Sequence, residues 1–148
     1  MARTTAREKL HKPAEREIKQ TDKGIMLIPK PADIDEYIRK IPKGKLATID
    51  EIRDKLANKF GAQFTCPLCA GIFLRIAAEA AEEDIAEGKT DIAPYWRVIK
   101  GDGKLIDKFP GGVESHAKYL EKEGHEISPA RGKGAPKVMD FTDKLIEF

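Results

Sequence analysis

Two cysteines, Cys66 and Cys69, are separated by two residues and could carry chemistry. They stand where a helix is predicted to begin, a position that lowers the pKa of a thiol. Such a pair can take part in thiol–disulfide exchange, or bind zinc together with two further ligands. His116 and His125 could supply those ligands, but their spacing of nine is outside the usual finger pattern. We favour a simpler interpretation, in which both cysteines are small buried side chains and the chain binds no metal.

A second candidate, the stretch from Glu87 to Thr90, is similar to the end of a phosphate-binding loop. The upstream glycine spacing and the preceding strand that such a loop requires are both missing. We therefore predict no nucleotide site here, and no other motif indicates a cofactor.

Two helices joined by a tight turn are predicted in the middle of the chain. A capping box begins the first helix at Thr48, and Gly61 ends it. The second helix begins at Thr65, a candidate N-cap that precedes Pro67, and runs to about Glu87. Because this second helix is mostly apolar, it is predicted to cross the core and to expose one edge.

A β-hairpin is predicted after these helices. Residues 96–100 and 104–108 read as short strands around a turn at Gly101-Asp102-Gly103. Two helices followed by a hairpin are typical of winged helix-turn-helix proteins, in which the second helix enters a DNA groove. The predicted fold class is therefore α+β, a winged helix-turn-helix-like domain with a β-hairpin wing, followed by a further helix that ends at Gly124.

Both ends of the chain are predicted to be basic extensions. Residues 1–23 hold seven Lys or Arg against four Asp or Glu, and we interpret them as a loose or helical arm, either solvated or bound to phosphate. Residues 24–124 form the predicted domain, which opens with a short strand and a short helix. Residues 125–148 hold a basic loop and a segment that packs back on the domain. The cations of that loop are Arg131, Lys133 and Lys137.

The composition is that of a small globular protein. The chain has 148 residues, of which 41% are apolar, and this is enough for one domain with a core. A formal net charge of +2 does not by itself mark a nucleic-acid binder. No apolar run approaches the roughly 20 residues that span a bilayer, and the first residues lack the apolar segment of a secretory signal. With two cysteines and no disulfide framework, we expect a cytoplasmic monomer without a membrane partner.

Three blocks of the sequence resemble the DNA-binding domain of the O6-alkylguanine-DNA alkyltransferases. The stretch from Ile41 to Thr48 resembles the IPxGxVxT entry of that family, and the stretch from Pro94 to Leu105 resembles its PCHRVI and DGxL block. The stretch from Lys118 to Gly124 resembles the closing KxxLLxxEG helix. The blocks follow the order of the family and cover about residues 41–124.

The residues that perform the chemistry of this family are replaced. Tyr95 stands at the position of the cysteine that accepts the alkyl group, and Trp96 at that of the histidine that generates its thiolate. A phenol with a pKa of about 10 is a poor nucleophile at neutral pH without a base beside it, so we expect no alkyl transfer. Within this family, the chain most resembles the non-catalytic alkyltransferase-like proteins, which carry Trp at the cysteine position and bind alkylated guanine. Tyr95 then either lines a base pocket or fills the vacated site as core.

Two more family residues are replaced. Gly71 stands where the recognition helix of the family carries an Arg that takes the place of the flipped nucleotide. Ile49 stands where the family has a Tyr that presses on the phosphate beside the target base, and here it fits the apolar stripe of its helix. Arg75 lies one turn beyond Gly71, where it either reaches a groove or pairs with Glu79, and we favour the ion pair.

The resemblance implies a non-enzymatic DNA-binding protein that senses alkylated bases for DNA repair. Its expected partners are double-stranded DNA and a repair protein, and the alternative is a protein-interaction scaffold that has lost DNA binding. Backbone N–H groups near Thr65, at the start of the recognition helix, could meet a phosphate. The contacts of basic side chains with DNA would be salt-sensitive and mostly independent of sequence. The residues predicted to contact DNA are Thr65, Arg75, Tyr95, Trp96, Arg97, Lys43, Lys45, Lys100 and Lys104.

Overall fold

The structure is a computed structural model that describes residues 5–11, 15–129 and 134–148, so Arg131 and Lys133 of the predicted basic loop lie outside it. The fold is α+β, as predicted. The helices are α1 (Ala6–His11), α2 (Pro31–Arg39), α3 (Ile49–Lys59), α4 (Pro67–Ala86) and α5 (Gly112–Lys122), with 3-10 helices at Tyr95–Arg97 and Phe141–Lys144. The strands are β1 (Glu17–Thr21), β2 (Gly24–Ile28), β3 (Ala47–Thr48), β4 (Phe64–Thr65), β5 (Val98–Ile99), β6 (Ile127–Ser128) and β7 (Lys137–Val138).

The predicted pair of central helices is confirmed as α3 and α4. Thr48 caps α3, since its hydroxyl oxygen accepts the backbone N–H of Glu51 at 3.1 Å. After α3, Gly61 takes a left-handed conformation with φ of +74°, which turns the chain toward β4. The helix α4 buries Leu74 and a row of alanines, and this explains why the sequence is apolar along most of its length.

The start of α4 differs from the prediction. Its N-cap is Cys66, whose Sγ accepts the backbone N–H of Cys69 at 3.4 Å. Thr65 instead belongs to β4, is only 1% exposed, and donates its hydroxyl to the carbonyl of Arg53 at 2.7 Å. The side chain of Thr65 therefore ties β4 to α3, and the predicted contact of nearby backbone N–H groups with a phosphate stays a prediction.

Residues 17–21 form β1, although we predicted a loose or helical arm there. β1 pairs antiparallel with β2, and β2 pairs in parallel with β4. Most of β1 is exposed on both faces, so its sequence lacks the alternation of apolar and polar residues that marks a half-buried strand. The resulting sheet supports the short strand that leads directly into α4.

The acidic end of α4 holds α1 in place. The carboxylate of Glu83 accepts the backbone N–H groups of Ala6 at 2.8 Å and Arg7 at 3.0 Å. The Arg7 guanidinium pairs with Asp84 at 2.7 Å, and Leu10 is buried. This part of the basic extension is therefore helical, docked and neutralised.

The predicted β-hairpin is present only as its turn. The N–H of Gly103 donates to the carbonyl of Lys100 at 2.9 Å, and the N–H of Lys100 donates to the carbonyl of Lys104 at 3.0 Å. The strand before the turn, β5, pairs in parallel with β3, and Lys104 forms a bridge with Lys137. The segment belongs to the body of the protein, because Val98, Ile99 and Leu105 are fully buried.

The final residues contact the strand β3 region of the domain. Leu46 donates its N–H to the carbonyl of Lys144 at 2.9 Å and accepts the N–H of Ile146 at 2.8 Å. Leu46 also belongs to a small apolar cluster beside the main core, with Ile99, Leu105, Leu120 and Val138. Across the described part of the chain, each helix is too short or too polar to cross a membrane.

Candidate functional site

A groove of about 400 Å³ runs beside the first turns of α4. Its floor is apolar and joins α3, α4 and the segment 106–109, while cationic side chains stand at its edges. The apolar residues of the floor are Ile49, Leu74, Ile106 and Phe109. The surface of α4 contributes Pro67, Leu68, Gly71 and Ile72, and the cations of the rim are Arg53, Arg75, Lys100 and Lys108.

Large apolar side chains are exposed on the α4 side of this groove. Leu68 is 73% exposed and Ile72 is 48% exposed, and they lie one helical turn apart. Gly71 stands between them, and a Cβ placed on it would meet no other atom within 4 Å. The middle of the helix face is therefore open to a ligand that comes close to the backbone.

The cations of the rim differ in how firmly they are held. Arg75 pairs with Glu79 at 2.9 Å, so the predicted ion pair is confirmed, and the two side chains are partly exposed at the edge of the groove. Arg53 donates to the carbonyl of Thr65 at 3.4 Å, which fixes its guanidinium beside the start of α4. Lys100 and Lys108 are exposed and line the groove from the segment that follows β5.

Tyr95 lies in the core and does not line the groove. It is 1% exposed, and its ring packs edge-on against those of Trp96, Phe109 and Tyr119 at centroid distances of 5.3, 4.9 and 6.0 Å. Burial, and then the negative charge of Glu82, raise the pKa of the Tyr95 phenol well above its usual value. The interpretation of Tyr95 as core filling is therefore right, and the prediction that it stacks on a DNA base is wrong.

Trp96 and Arg97 are also engaged inside the protein. The indole N–H of Trp96 donates to Glu123 at 3.0 Å, and its ring stacks on Tyr119 at 4.5 Å. The Arg97 guanidinium donates to Glu123 at 2.8 and 2.9 Å and to the carbonyl of Ile41 at 2.6 Å. The carboxylate of Glu123 thus holds both side chains inside the protein, and their predicted DNA contacts stay predictions.

His116 links the 3-10 helix at Trp96 to the segment 106–109, which forms part of the groove floor. The backbone N–H of Ile106 donates to Nδ1 at 3.1 Å, so the proton of the neutral ring is on Nε2, which donates to the carbonyl of Trp96 at 2.8 Å. Burial lowers the pKa of His116 to about 4, which keeps the ring neutral at pH 7. Sequence reasoning considered this histidine only as a metal ligand, and nothing in its spacing indicated this bridging role.

The two cysteines sit at the beginning of α4 as half-buried free thiols. Although partial burial opposes ionisation, hydrogen bonds from Cys69 lower the pKa of the Cys66 thiol. Burial and the neighbouring Cys66 raise the pKa of Cys69. Within the described residues, no three His, Cys, Asp or Glu side chains come together in a way that could hold a metal ion.

The remaining predicted cations divide between the groove and other surfaces. Of the predicted contact residues, the groove brings together Arg75 and Lys100. Lys43 and Lys45 are exposed in the turn before β3, and Lys104 lies near Asp102 at 3.5 Å. Sequence reasoning missed Arg53, Lys108, Leu68 and Ile72 as groove residues. The available signal was the pair of large apolar residues spaced by four on either side of Gly71, which we interpreted as core.

Comparison with solved structures identifies the class to which this fold belongs. The chain has the fold of the alkyltransferase-like proteins, as the sequence resemblance implied. S. pombe Atl1, in complex with damaged DNA containing O6-carboxymethylguanine, is 23% identical with a TM-score of 0.55. A structure of S. pombe ATL in complex with DNA is 21% identical with a TM-score of 0.54, and both comparisons cover 79% of this chain and 94% of the other. No protein-family model and no curated protein matches the chain.

Proposed function

We propose that this protein binds double-stranded DNA through the groove beside α4 and recognises alkylated bases without an alkyl-transfer reaction. The observation that carries the proposal is the combination of an apolar floor with a rim of four cations in one groove of about 400 Å³. DNA matches this arrangement, because its charged phosphates surround bases whose faces are apolar. The two S. pombe structures of the same fold are complexes with DNA, one of them damaged.

Recognition without reaction follows from the position of the aromatic residues. Phe109 forms part of the floor and separates the groove from the Tyr95 ring, whose pKa is raised by burial. A base that enters the groove would meet Phe109 and Ile106, and neither of these side chains can accept an alkyl group. Binding is therefore proposed to be reversible, with phosphate contacts that give affinity and an apolar floor that favours an added alkyl group.

Fluorescence anisotropy of a labelled duplex, with and without one O6-methylguanine, tests this proposal at several salt concentrations. We expect tighter binding to the modified duplex, and binding to both duplexes that weakens as salt rises. A Gly71→Trp variant places a large ring in the open middle of the groove and should abolish the preference for the modified duplex. Lys118→Trp, at an exposed position of α5 away from the groove, is the matched control.

Two results would contradict the proposal in different ways. Equal binding of the two duplexes would support DNA binding and exclude the recognition of alkylated bases. An absence of binding at low salt would remove DNA binding altogether and favour the protein-interaction scaffold.

A further inference from the structure

We propose that Leu68 and Ile72 form an apolar wedge, which α4 inserts between neighbouring base pairs to detect DNA whose stacking is weakened. This inference rests on the proposed DNA binding and adds a property that the groove alone does not supply. It extends the class of DNA that is recognised from alkylated bases to any site where base stacking is already poor.

The exposure of these two side chains is the first observation. Leu68 is 73% exposed and Ile72 is 48% exposed, although the same helix buries Leu74 almost completely. Both lie on the groove side of the first turns of α4, where side chains spaced by four form a single ridge. Exposure of two large apolar residues side by side costs free energy in water, and this cost is removed when they enter an apolar environment.

The charged residues around Leu68 and Ile72 indicate which apolar environment these two side chains would enter. Four cations line the groove around the ridge, namely Arg53 of α3, Arg75 of α4, and Lys100 and Lys108 of the segment that follows β5. A protein partner would have to bring carboxylates together with an apolar patch, whereas DNA carries phosphates on both sides of its stacked bases. Leu and Ile are side chains that DNA-bending proteins insert between base steps. The complementary occupant is therefore a DNA duplex that is opened at one step.

The helix is held firmly enough to act as a wedge. Its opposite face is buried through Ala70, Ala77 and Ala78. Its first residue follows Cys66, whose N–H donates to the carbonyl of Leu27 at 2.8 Å in the sheet below. A side chain on such a support keeps its position when bases are pushed apart. Gly71 adds free space beside the ridge, so that a displaced base can approach the helix backbone.

The wedge predicts a particular kind of selectivity. Separation of two stacked bases costs a few kcal/mol per step in a normal duplex and less where a mismatch or a lesion has already weakened the stack. Because Leu68 and Ile72 make no hydrogen bonds to bases, the preference depends on the ease of unstacking and only weakly on sequence.

Duplexes that contain 2-aminopurine test the wedge, because this base fluoresces strongly only when it is unstacked. We would measure anisotropy and 2-aminopurine fluorescence together, on a matched duplex and on one with a mismatch beside the probe. The full chain should bind both duplexes, raise the fluorescence several-fold, and bind the mismatched duplex roughly tenfold more tightly. A Leu68→Ala, Ile72→Ala double variant should keep salt-dependent binding to the matched duplex and lose both the fluorescence rise and the preference.

Met139→Ala is the matched control, because Met139 is also 48% exposed and does not line the groove. It should behave as the wild-type chain does. Binding by the wild-type chain without a fluorescence rise would overturn the wedge and leave the proposed DNA binding intact. Equal loss of matched and mismatched binding in the double variant would also overturn it, since the pair would then be a general contact. An absence of any anisotropy change at low salt would overturn the proposed function and the wedge together.

Discussion

At the scale of single residues, the most instructive side chain is Arg97. Its position in a block that resembles a DNA-binding family made it a candidate phosphate ligand. In the structure its side chain is 14% exposed, and its partner Glu123 is 8% exposed. Although burial opposes ionisation of Glu123, hydrogen bonds from Arg97 and Trp96 lower the pKa of this carboxyl. The guanidinium therefore holds the 3-10 helix at Tyr95–Arg97 against the end of α5.

Replacement of Arg97 should destabilise the protein far more than replacement of an arginine in the groove. Arg97→Ala leaves a buried carboxylate without its positively charged partner, which costs about 3 kcal/mol of unfolding free energy. Arg75→Ala removes an exposed pair on one helix, and the expected cost is at most about 0.5 kcal/mol. Urea denaturation at pH 7, followed by circular dichroism, measures both values. Equal midpoints for the two variants would contradict the structural role of Arg97.

His116 predicts how stability depends on pH. Its pKa is about 4 in the folded protein and about 6.5 in the unfolded chain, so between these values the unfolded state binds the proton more readily. The stabilising contribution is complete above about pH 6.5 and declines by about 3 kcal/mol as the pH falls toward 4. Urea denaturation at intervals across this range should show the decline in the wild-type chain.

The variant His116→Gln separates this effect from other acid-sensitive groups. Glutamine retains one acceptor and one donor but does not titrate, so stability should fall less steeply between pH 6.5 and 4. His125, whose pKa burial also lowers, provides the control. In His125→Gln, the loss of stability that results from protonation of His116 should remain. An unchanged slope in His116→Gln would show that the ring is not the group responsible.

At the scale of secondary structure, α1 depends on α4 for its existence. A helix of six residues is too short to be stable alone. Glu83 supplies hydrogen-bond acceptors for the first N–H groups of α1, and Arg7 crosses to Asp84. The acidic end of α4 is therefore a docking site for the N-terminal residues.

Loss of the Glu83 carboxylate should release α1 from the domain. In Glu83→Ala the N–H groups of Ala6 and Arg7 lose their acceptor, so trypsin should cleave after Arg7 several times faster than in the wild-type chain. Glu79→Ala removes a carboxylate from the same helix without touching α1 and serves as the control. Mass spectrometry of timed digests identifies the cleavage site. The same rate in both variants would mean that the packing of Leu10 and the Arg7–Asp84 pair hold the helix without Glu83.

The elements that sequence reasoning predicted are those with strong local signals. Thr48 and Gly61 mark the two ends of α3, and Gly124 follows α5, so these helices were found without knowledge of their surroundings. β1 was missed because an exposed edge strand has no apolar alternation. The predicted partner of β5, the strand that follows it in the hairpin, was wrong. β5 pairs instead with β3, which lies some fifty residues earlier in the chain, and such a pairing depends on distant contacts. The groove was missed for a similar reason, since its walls come from three separate segments.

At the scale of the whole molecule, charge is separated along α4. This helix has 20 residues, so its ends are about 30 Å apart. Its first turns border the cationic groove, and its last turns carry Glu82, Glu83 and Asp84. Arg7 and Lys89 partly neutralise the acids at the end of α4, so the formal net charge of +2 does not indicate where positive charge is exposed. Local charge, rather than net charge, should decide where a polyanion binds.

Two double charge reversals with the same net charge test this separation. Lys100→Glu with Lys108→Glu changes the rim of the groove, whereas Lys118→Glu with Lys122→Glu changes an exposed face of α5. Each replaces two positive charges by two negative ones, so the formal net charge goes from +2 to −2 in both. If rim lysines contact phosphates, the slope of log affinity against log salt should become shallower by about 2 in the rim variant. The α5 variant should keep nearly the wild-type slope, and an equal change in both would mean that overall charge, and not this groove, attracts the DNA.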